Sequence, residues 1–181
     1  MQKDYNLEKL SFMVIEDNKH MSSLVRSILG AFGVRNVLEV ADGAEALKVL
    51  KHQPADIVIC DWMMQPMDGI EFVRLVRNSQ SSPNPFVPII MLTAHTQVAR
   101  VFEARDAGAN EFLAKPISPK KLYDRIRAII ESQRPYIKLR TYFGPDRRRK
   151  ASEAYKGPER RKNQVEPIET GPILGMPASP R

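Results

Sequence analysis

Ile57-Val58-Ile59-Cys60-Asp61-Trp62-Met63-Met64-Gln65-Pro66-Met67-Asp68-Gly69 is the stretch from which the architecture can be read. Its first four residues are apolar without interruption and then stop at a carboxylate. A strand with one wet face alternates apolar and polar residues; an unbroken apolar run is covered on both faces, as in a parallel sheet whose crossovers lay helices on each side. After the loop 61–68, Ile70, Val73 and Val76 recur at the spacing of a helix.

The same unit repeats outward in both directions. Upstream, Phe12-Met13-Val14-Ile15 ends at Glu16-Asp17, and Met21, Leu24, Val25, Ile28, Leu29 and Phe32 mark a helix stopped by Gly33. Residues 37–40 read as a strand, Asp42-Gly43 as its turn, and 44–52 as a helix closed by Pro54. Downstream, 88–92 is a strand, 96–107 a helix ended by Gly108, and 111–114 a strand. Ser118 caps a last helix over 118–131 that carries Leu122, Ile126, Ile129 and Ile130. Five strands alternating with five helices predict an α/β fold, an open, doubly wound, five-stranded parallel sheet of the flavodoxin-like kind.

Length and charge divide the chain. Of 181 residues, 10–133 make one domain of ordinary size. Residues 134–162 form a basic, mostly irregular extension, and 163–181, rich in Pro and Gly without apolar periodicity, a disordered tail. Residues 1–133 are net neutral, 134–162 carry +8 and 163–181 carry −1, so the whole +7 excess lies in one short segment. The first ten residues are polar, and no run approaches the roughly 18 apolar residues of a membrane span, which predicts a soluble, cytoplasmic protein. Cys60, the single cysteine, ends an apolar strand and packs there as a small hydrophobe.

Every strand of a parallel sheet leaves at the same edge, so Glu16, Asp17, Asp61 and Lys115 converge. Two carboxylates about 4 Å apart repel by roughly 4 kcal/mol at an effective dielectric of 20. A divalent metal and a lysine offset that repulsion, which suits the pocket to Mg²⁺ and a phosphoryl group.

In order and spacing, Glu16-Asp17, Asp61 through Gly69, Thr93-Ala94 and Lys115-Pro116 resemble the CheY-like receiver domain of bacterial two-component response regulators. The resemblance implies that Asp61 accepts a phosphoryl group from a histidine kinase or a phosphotransfer protein. It assigns Mg²⁺ to Glu16, Asp17, Asp61 and the main-chain carbonyl of Met63, with Glu16, in place of the family's commoner aspartate, reaching the metal through water. Lys115 pairs with a phosphoryl oxygen, Pro116 is a cis proline, Thr93 reads the product and Phe112 is the aromatic switch. The helix 96–107, the strand 111–114 and the helix 118–131 then form an output face for a downstream protein, with a phosphorylation-dependent dimer as an option. No enzymatic turnover is expected beyond self-catalysed phosphotransfer and slow dephosphorylation. A phosphatase of the haloacid dehalogenase kind needs an aspartate two residues after its nucleophile, where this chain has Met63.

The basic segment repeats itself. Tyr142-Phe143-Gly144-Pro145-Asp146-Arg147-Arg148 returns as Tyr155-Lys156-Gly157-Pro158-Glu159-Arg160-Arg161. Paired arginines donate bidentately to phosphate or to a guanine edge, and tyrosine rings stack on bases. The segment resembles the arginine-rich extension of receiver-like flagellar regulators of alphaproteobacteria. The resemblance implies cyclic di-GMP binding by Tyr142, Arg147, Arg148, Tyr155, Arg160 and Arg161 and action at the flagellar motor. DNA binding is not expected. The alternative is a degenerate receiver serving as a protein- or nucleic-acid-binding adaptor through its basic tail.

Overall fold

The computed structural model describes residues 5–94, 98–131, 134–139, 142–146 and 168, with 98–100 described by backbone alone. The elements are β1 (Ser11–Ile15), α1 (Lys19–Ala31), β2 (Asn36–Val40), α2 (Gly43–Leu50), β3 (Ile57–Asp61), α3 (Gly69–Asn78), β4 (Ile89–Thr93), α4 (Val98–Ala107), β5 (Glu111–Ala114), α5 (Pro119–Glu131), β6 (Tyr136–Leu139) and β7 (Tyr142–Pro145). The first five strands form one sheet in the order β2-β1-β3-β4-β5, every pair parallel. This is the doubly wound fold expected from the apolar runs.

Side chains alternate across each strand, so every run feeds two cores. Phe12, Val14, Ile57, Ile59, Ile90 and Leu92 meet Val25, Ile28 and Leu29 of α1 and Leu122, Ile126 and Ile129 of α5. Met13, Ile15, Val58, Cys60, Ile89 and Met91 meet Ala46 and Leu50 of α2, Ile70, Val73 and Val76 of α3, and Ala104 and Ala107 of α4. Local chemistry starts the helices. Asn18 accepts from the amides of His20 and Met21, Asp42 from those of Ala44 and Glu45, and Asp68 from that of Glu71. Gly33, at φ 85°, turns the chain out of α1 in a conformation that side chains resist.

Two expectations change. The polar N-terminus is not wholly peripheral. Leu7 and Leu10 are buried in the α1/α5 core, and the Tyr5 amide donates to the Tyr123 hydroxyl. A pair of leucines three apart among charges carries too little periodicity to be recognised as core.

The larger correction concerns the extension. Instead of an irregular tail from residue 134, β6 and β7 form an antiparallel hairpin in which Tyr136, Tyr142 and Phe143 are buried. It docks at the ends of α3 and α4, near the N-terminal edges of β4 and β5. Phe86 packs edge to face on Tyr136 and Phe143, which tilt against each other, with ring centroids 5.3–5.8 Å apart. Beneath them lies Arg77, 3% exposed, donating to the carbonyls of Gly108, Pro85 and Val87 and to Asn110 Oδ1, with its guanidinium 5.3 Å from the Tyr136 ring centre. Gly108, at φ 109°, and Gly144 face each other; a Cβ on Gly144 would stand 3.0 Å from the Gly108 Cα and 2.7 Å from the Tyr142 hydroxyl. Ile168 exchanges two main-chain hydrogen bonds with Tyr136 on the other side of β6. Each hairpin strand is four residues long, too short for a period to show against the flanking arginines.

Candidate functional site

Four strand ends build the site. Glu16 follows β1, Asp61 ends β3, Thr93 ends β4 and Lys115 follows β5. Main-chain hydrogen bonds hold these ends in register: Trp62 N–H donates to Leu92 O at 3.0 Å and Lys115 N–H to Thr93 O at 2.8 Å. The turn after β3 comes back so closely that a Cβ on Gly69 would lie 2.1 Å from the Asp61 carbonyl oxygen, which only glycine tolerates.

Lys115 Nζ stands 2.8 Å from Asp61 Oδ1 and 2.9 Å from Glu16 Oε2. Asp61 and Glu16 are buried and Asp17 is exposed. Burial pushes the Glu16 carboxyl above its ordinary value, the Lys115 hydrogen bond pulls it back, and the Asp61 charge adds to the rise. Burial also disfavours the Lys115 ammonium, but the hydrogen bonds to Asp61 and Glu16 outweigh it and leave the lysine above its ordinary value, hence charged. The lysine thus offsets half the charge of a buried carboxylate pair.

Carboxylate oxygens of Glu16, Asp17 and Asp61 all lie within 4.8 Å of one another. Magnesium takes oxygen ligands at 2.0–2.1 Å in an octahedron, so opposite ligands stand about 4.2 Å apart. Adjacent ligands stand closer still, at about 2.9 Å, so the three side chains would draw together around the ion, and their hard oxygens are the type it prefers. Met63, whose expected ligand atom is its carbonyl oxygen, lies in the loop after β3 with its side chain 63% exposed, while Trp62 and Met64 are buried beneath.

Thr93 is buried at the end of β4, beside the small, exposed Ala94. Phe112 is half-buried against the α2–α4 core and paired with Met91 in the β4–β5 register. Lys115-Pro116 is a cis peptide, as the resemblance implied; the second cis bond, Gln65-Pro66, was not anticipated. Cys60 is fully buried and its thiol is pushed well up by burial and by the Asp61 charge, which suits a core residue and not a nucleophile.

Of the residues expected of the basic segment, Tyr142 alone falls among the described residues. Tyr142 is a core residue of the hairpin, 4% exposed, its hydroxyl donating to Pro145 O at 2.7 Å, and this corrects its role as a stacking surface. Arg147, Arg148, Tyr155, Arg160 and Arg161 lie outside the described residues. Sequence reading missed Arg77, whose role needs the hairpin and the turns after α3 and α4 to come together.

Known proteins share this domain. Residues 12–127 match the response regulator receiver domain. The chain is 29% identical over 124 residues to the chemotaxis protein CheY-3 of Vibrio cholerae, covering 68% of this chain and 94% of that protein. It is 32% identical over 122 residues to the transcriptional regulatory protein YvrH of Bacillus subtilis, covering 67% of this chain and 49% of that one. Among solved structures, V. cholerae CheY4 superposes with a TM-score of 0.61 at 32% identity, over 66% of this chain and 98% of that one. The receiver domain of the Pseudomonas aeruginosa sensor histidine kinase PA1611 superposes with a TM-score of 0.57 at 31% identity, over 66% and 94%, and holds a magnesium ion in its active-site cleft. With the family match spanning residues 12–127 and the fold in agreement, the chain belongs to the response regulator receiver domain family of two-component systems.

Proposed function

We propose that Asp61 is the phosphoacceptor of a response regulator receiver in the cytoplasm. The observation that carries this reading is the Lys115 ammonium held between Asp61 and Glu16, 2.8 and 2.9 Å away. An Asp61 oxygen attacks the phosphorus of a phosphohistidine on a kinase or phosphotransfer protein. The new P–O bond replaces the P–N bond, and the departing imidazole takes a proton from water. Asp17, Asp61 and the Met63 carbonyl, with Glu16 reaching through water, would hold Mg²⁺, which would supply positive charge for the phosphoryl oxygens. Lys115 turns from the free carboxylates to one of those oxygens, and the Thr93 hydroxyl donates to another. The space Thr93 leaves admits the Phe112 ring, and the α4-β5-α5 face changes shape for a downstream protein partner or a second copy of the chain. The acyl phosphate is cleared slowly by water, so the protein signals and is not a turnover enzyme.

Intact-mass measurement after incubation with acetyl phosphate and Mg²⁺ tests this: an adduct of roughly 80 Da, one PO₃ unit, is expected in the native chain and absent in Asp61→Asn. No adduct, or the same adduct in the variant, refutes it.

The duplicated arginine pairs support a second input. Cyclic di-GMP, a ligand of two like halves, matches Arg147-Arg148 and Arg160-Arg161, with Tyr155 stacking on a base, and the flagellar motor becomes the target. Copy one spends its tyrosine on the hairpin, and Phe143 in that copy packs on Phe86 where copy two has Lys156. Calorimetric titration at about 150 mM salt separates the readings: saturable binding lost in Arg160→Ala favours the dinucleotide, whereas equal, salt-dependent binding of any polyanion leaves a basic adaptor.

A further inference from the structure

The hairpin is fastened to the receiver at a point that has mechanical consequences. Arg134, 16% exposed, donates from Nη2 to the Asn110 carbonyl, stands 3.6 Å from Glu111 Oε1 and donates from Nη1 to Asp146 O at 3.2 Å. One guanidinium thereby joins the first residue of β5, the residue before it and the residue that immediately precedes the Arg147-Arg148 pair. The joint is doubled. Asn110 Oδ1 accepts from Ile89 N–H and from Arg77, and its amide donates to the Tyr136 hydroxyl, while the Asp146 amide donates to Pro135 O. Glu111, buried, is also 3.4 Å from Arg125 of α5.

β5 is four residues long, about 13 Å at the rise of an extended strand. Its lower end is Glu111; its upper end leads into Lys115, whose ammonium sits on Asp61. Phe112 follows Glu111 directly. A strand so short, hydrogen-bonded to β4 along its length, transmits a displacement at one end to the other because packed interiors do not absorb it.

We infer that Arg134 is a positioning residue that couples the root of the basic extension to β5, so that the state of Asp61 and the state of the hairpin shift each other. This rests on the reading of Asp61 as the phosphoacceptor. Coupling of this kind is reciprocal at equilibrium: whatever the extension binds alters the affinity for a phosphoryl mimic at Asp61 by the same factor by which the mimic alters that binding.

The test uses the full chain with Mg²⁺ and beryllofluoride, a phosphoryl mimic. Amide hydrogen exchange of Ile137, Gly144 and Asp146 is followed by NMR, and beryllofluoride affinity is measured in the native chain, Arg134→Lys and Arg134→Ala. Beryllofluoride changes exchange at these amides at least threefold in the native chain. Arg134→Ala, which cannot bridge the three oxygens, abolishes the response and alters beryllofluoride affinity at least threefold; Arg134→Lys is intermediate. Saturation by beryllofluoride with unchanged hairpin exchange in the native chain overturns the coupling while leaving the phosphoacceptor intact, and this arm does not depend on any variant folding. A native chain that fails to bind beryllofluoride overturns both.

Discussion

Replacing Arg77 by methionine tests whether the hairpin belongs to the folded unit. The guanidinium is 3% exposed and makes four hydrogen bonds, three to main-chain carbonyls and one to Asn110 Oδ1. Burial drives its pKa below the ordinary arginine value, the nearby tyrosines partly restoring it, and it stays charged because arginine has a wide margin above neutrality. Hydrogen bonds to a charged group contribute about 1.5–3 kcal/mol each, and four of them sum to roughly 6–12 kcal/mol. Taking the ion out of water costs several kcal/mol in return. Methionine matches the stem's volume but leaves the carbonyls without a donor, so the net loss is about 3–5 kcal/mol. For a chain of this size that lowers the thermal midpoint by about 6–20 °C. Scanning calorimetry of the native chain, Arg77→Met and the control Arg74→Met, on the same helix but solvent-exposed, measures it. A loss below about 1 kcal/mol in Arg77→Met, or an equal loss in the control, refutes the idea that a buried cation organises this end of the molecule.

Three further outcomes follow from the geometry. Gly69→Ala puts a Cβ 2.1 Å from the Asp61 carbonyl; the turn has to move, and denaturant melts should show a loss of at least about 2 kcal/mol together with slower labelling by acetyl phosphate. Lys115→Ala removes the ammonium paired with both Asp61 and Glu16 and lowers the rate of labelling, followed by intact mass, about 10–1000-fold, the effect of losing one charge-stabilising donor. Glu39 is held below the ordinary glutamate value by its hydrogen bonds from Ser22 and then from Arg26. Because the folded value lies below the unfolded one, its contribution is present above the unfolded pKa and disappears as pH falls through the folded value. Denaturant melts of the native chain and Glu39→Gln therefore differ at pH 7 and converge below about pH 4.

Particular residues show why some of this was legible beforehand and some was not. Ile57 to Asp61 is buried throughout, and an unbroken apolar run ending in an acid has few other homes. Glu16, Asp17, Asp61, Thr93 and Lys115 could be gathered from the sequence because a parallel sheet sends every strand out at one edge. Helix limits were less sharp: α2 stops at Leu50, not at His52, where the His52 amide bonds the Val49 carbonyl three residues back instead of the helical four. The hairpin escaped detection since its burial depends on Phe86, Arg77 and Gly108, residues 28–59 positions before Tyr136, where β6 begins.

By itself the sequence determined the periodicities, and with them the alternation of strands and helices, the parallel sheet and the edge at which its charged groups meet, because those follow from local spacing and from the covering of apolar faces. Tertiary structure alone decided that Lys115 reaches both Asp61 and Glu16, that Tyr142 is a core side chain and not a ligand-stacking one, that Arg134 ties the C-terminal hairpin to β5, and that Arg77 lies under the Tyr136 ring with its donors on the turns before β4 and β5. The physical reason is that a buried charge chooses its partners by distance in space, and no spacing along the chain encodes a carbonyl supplied by a remote turn.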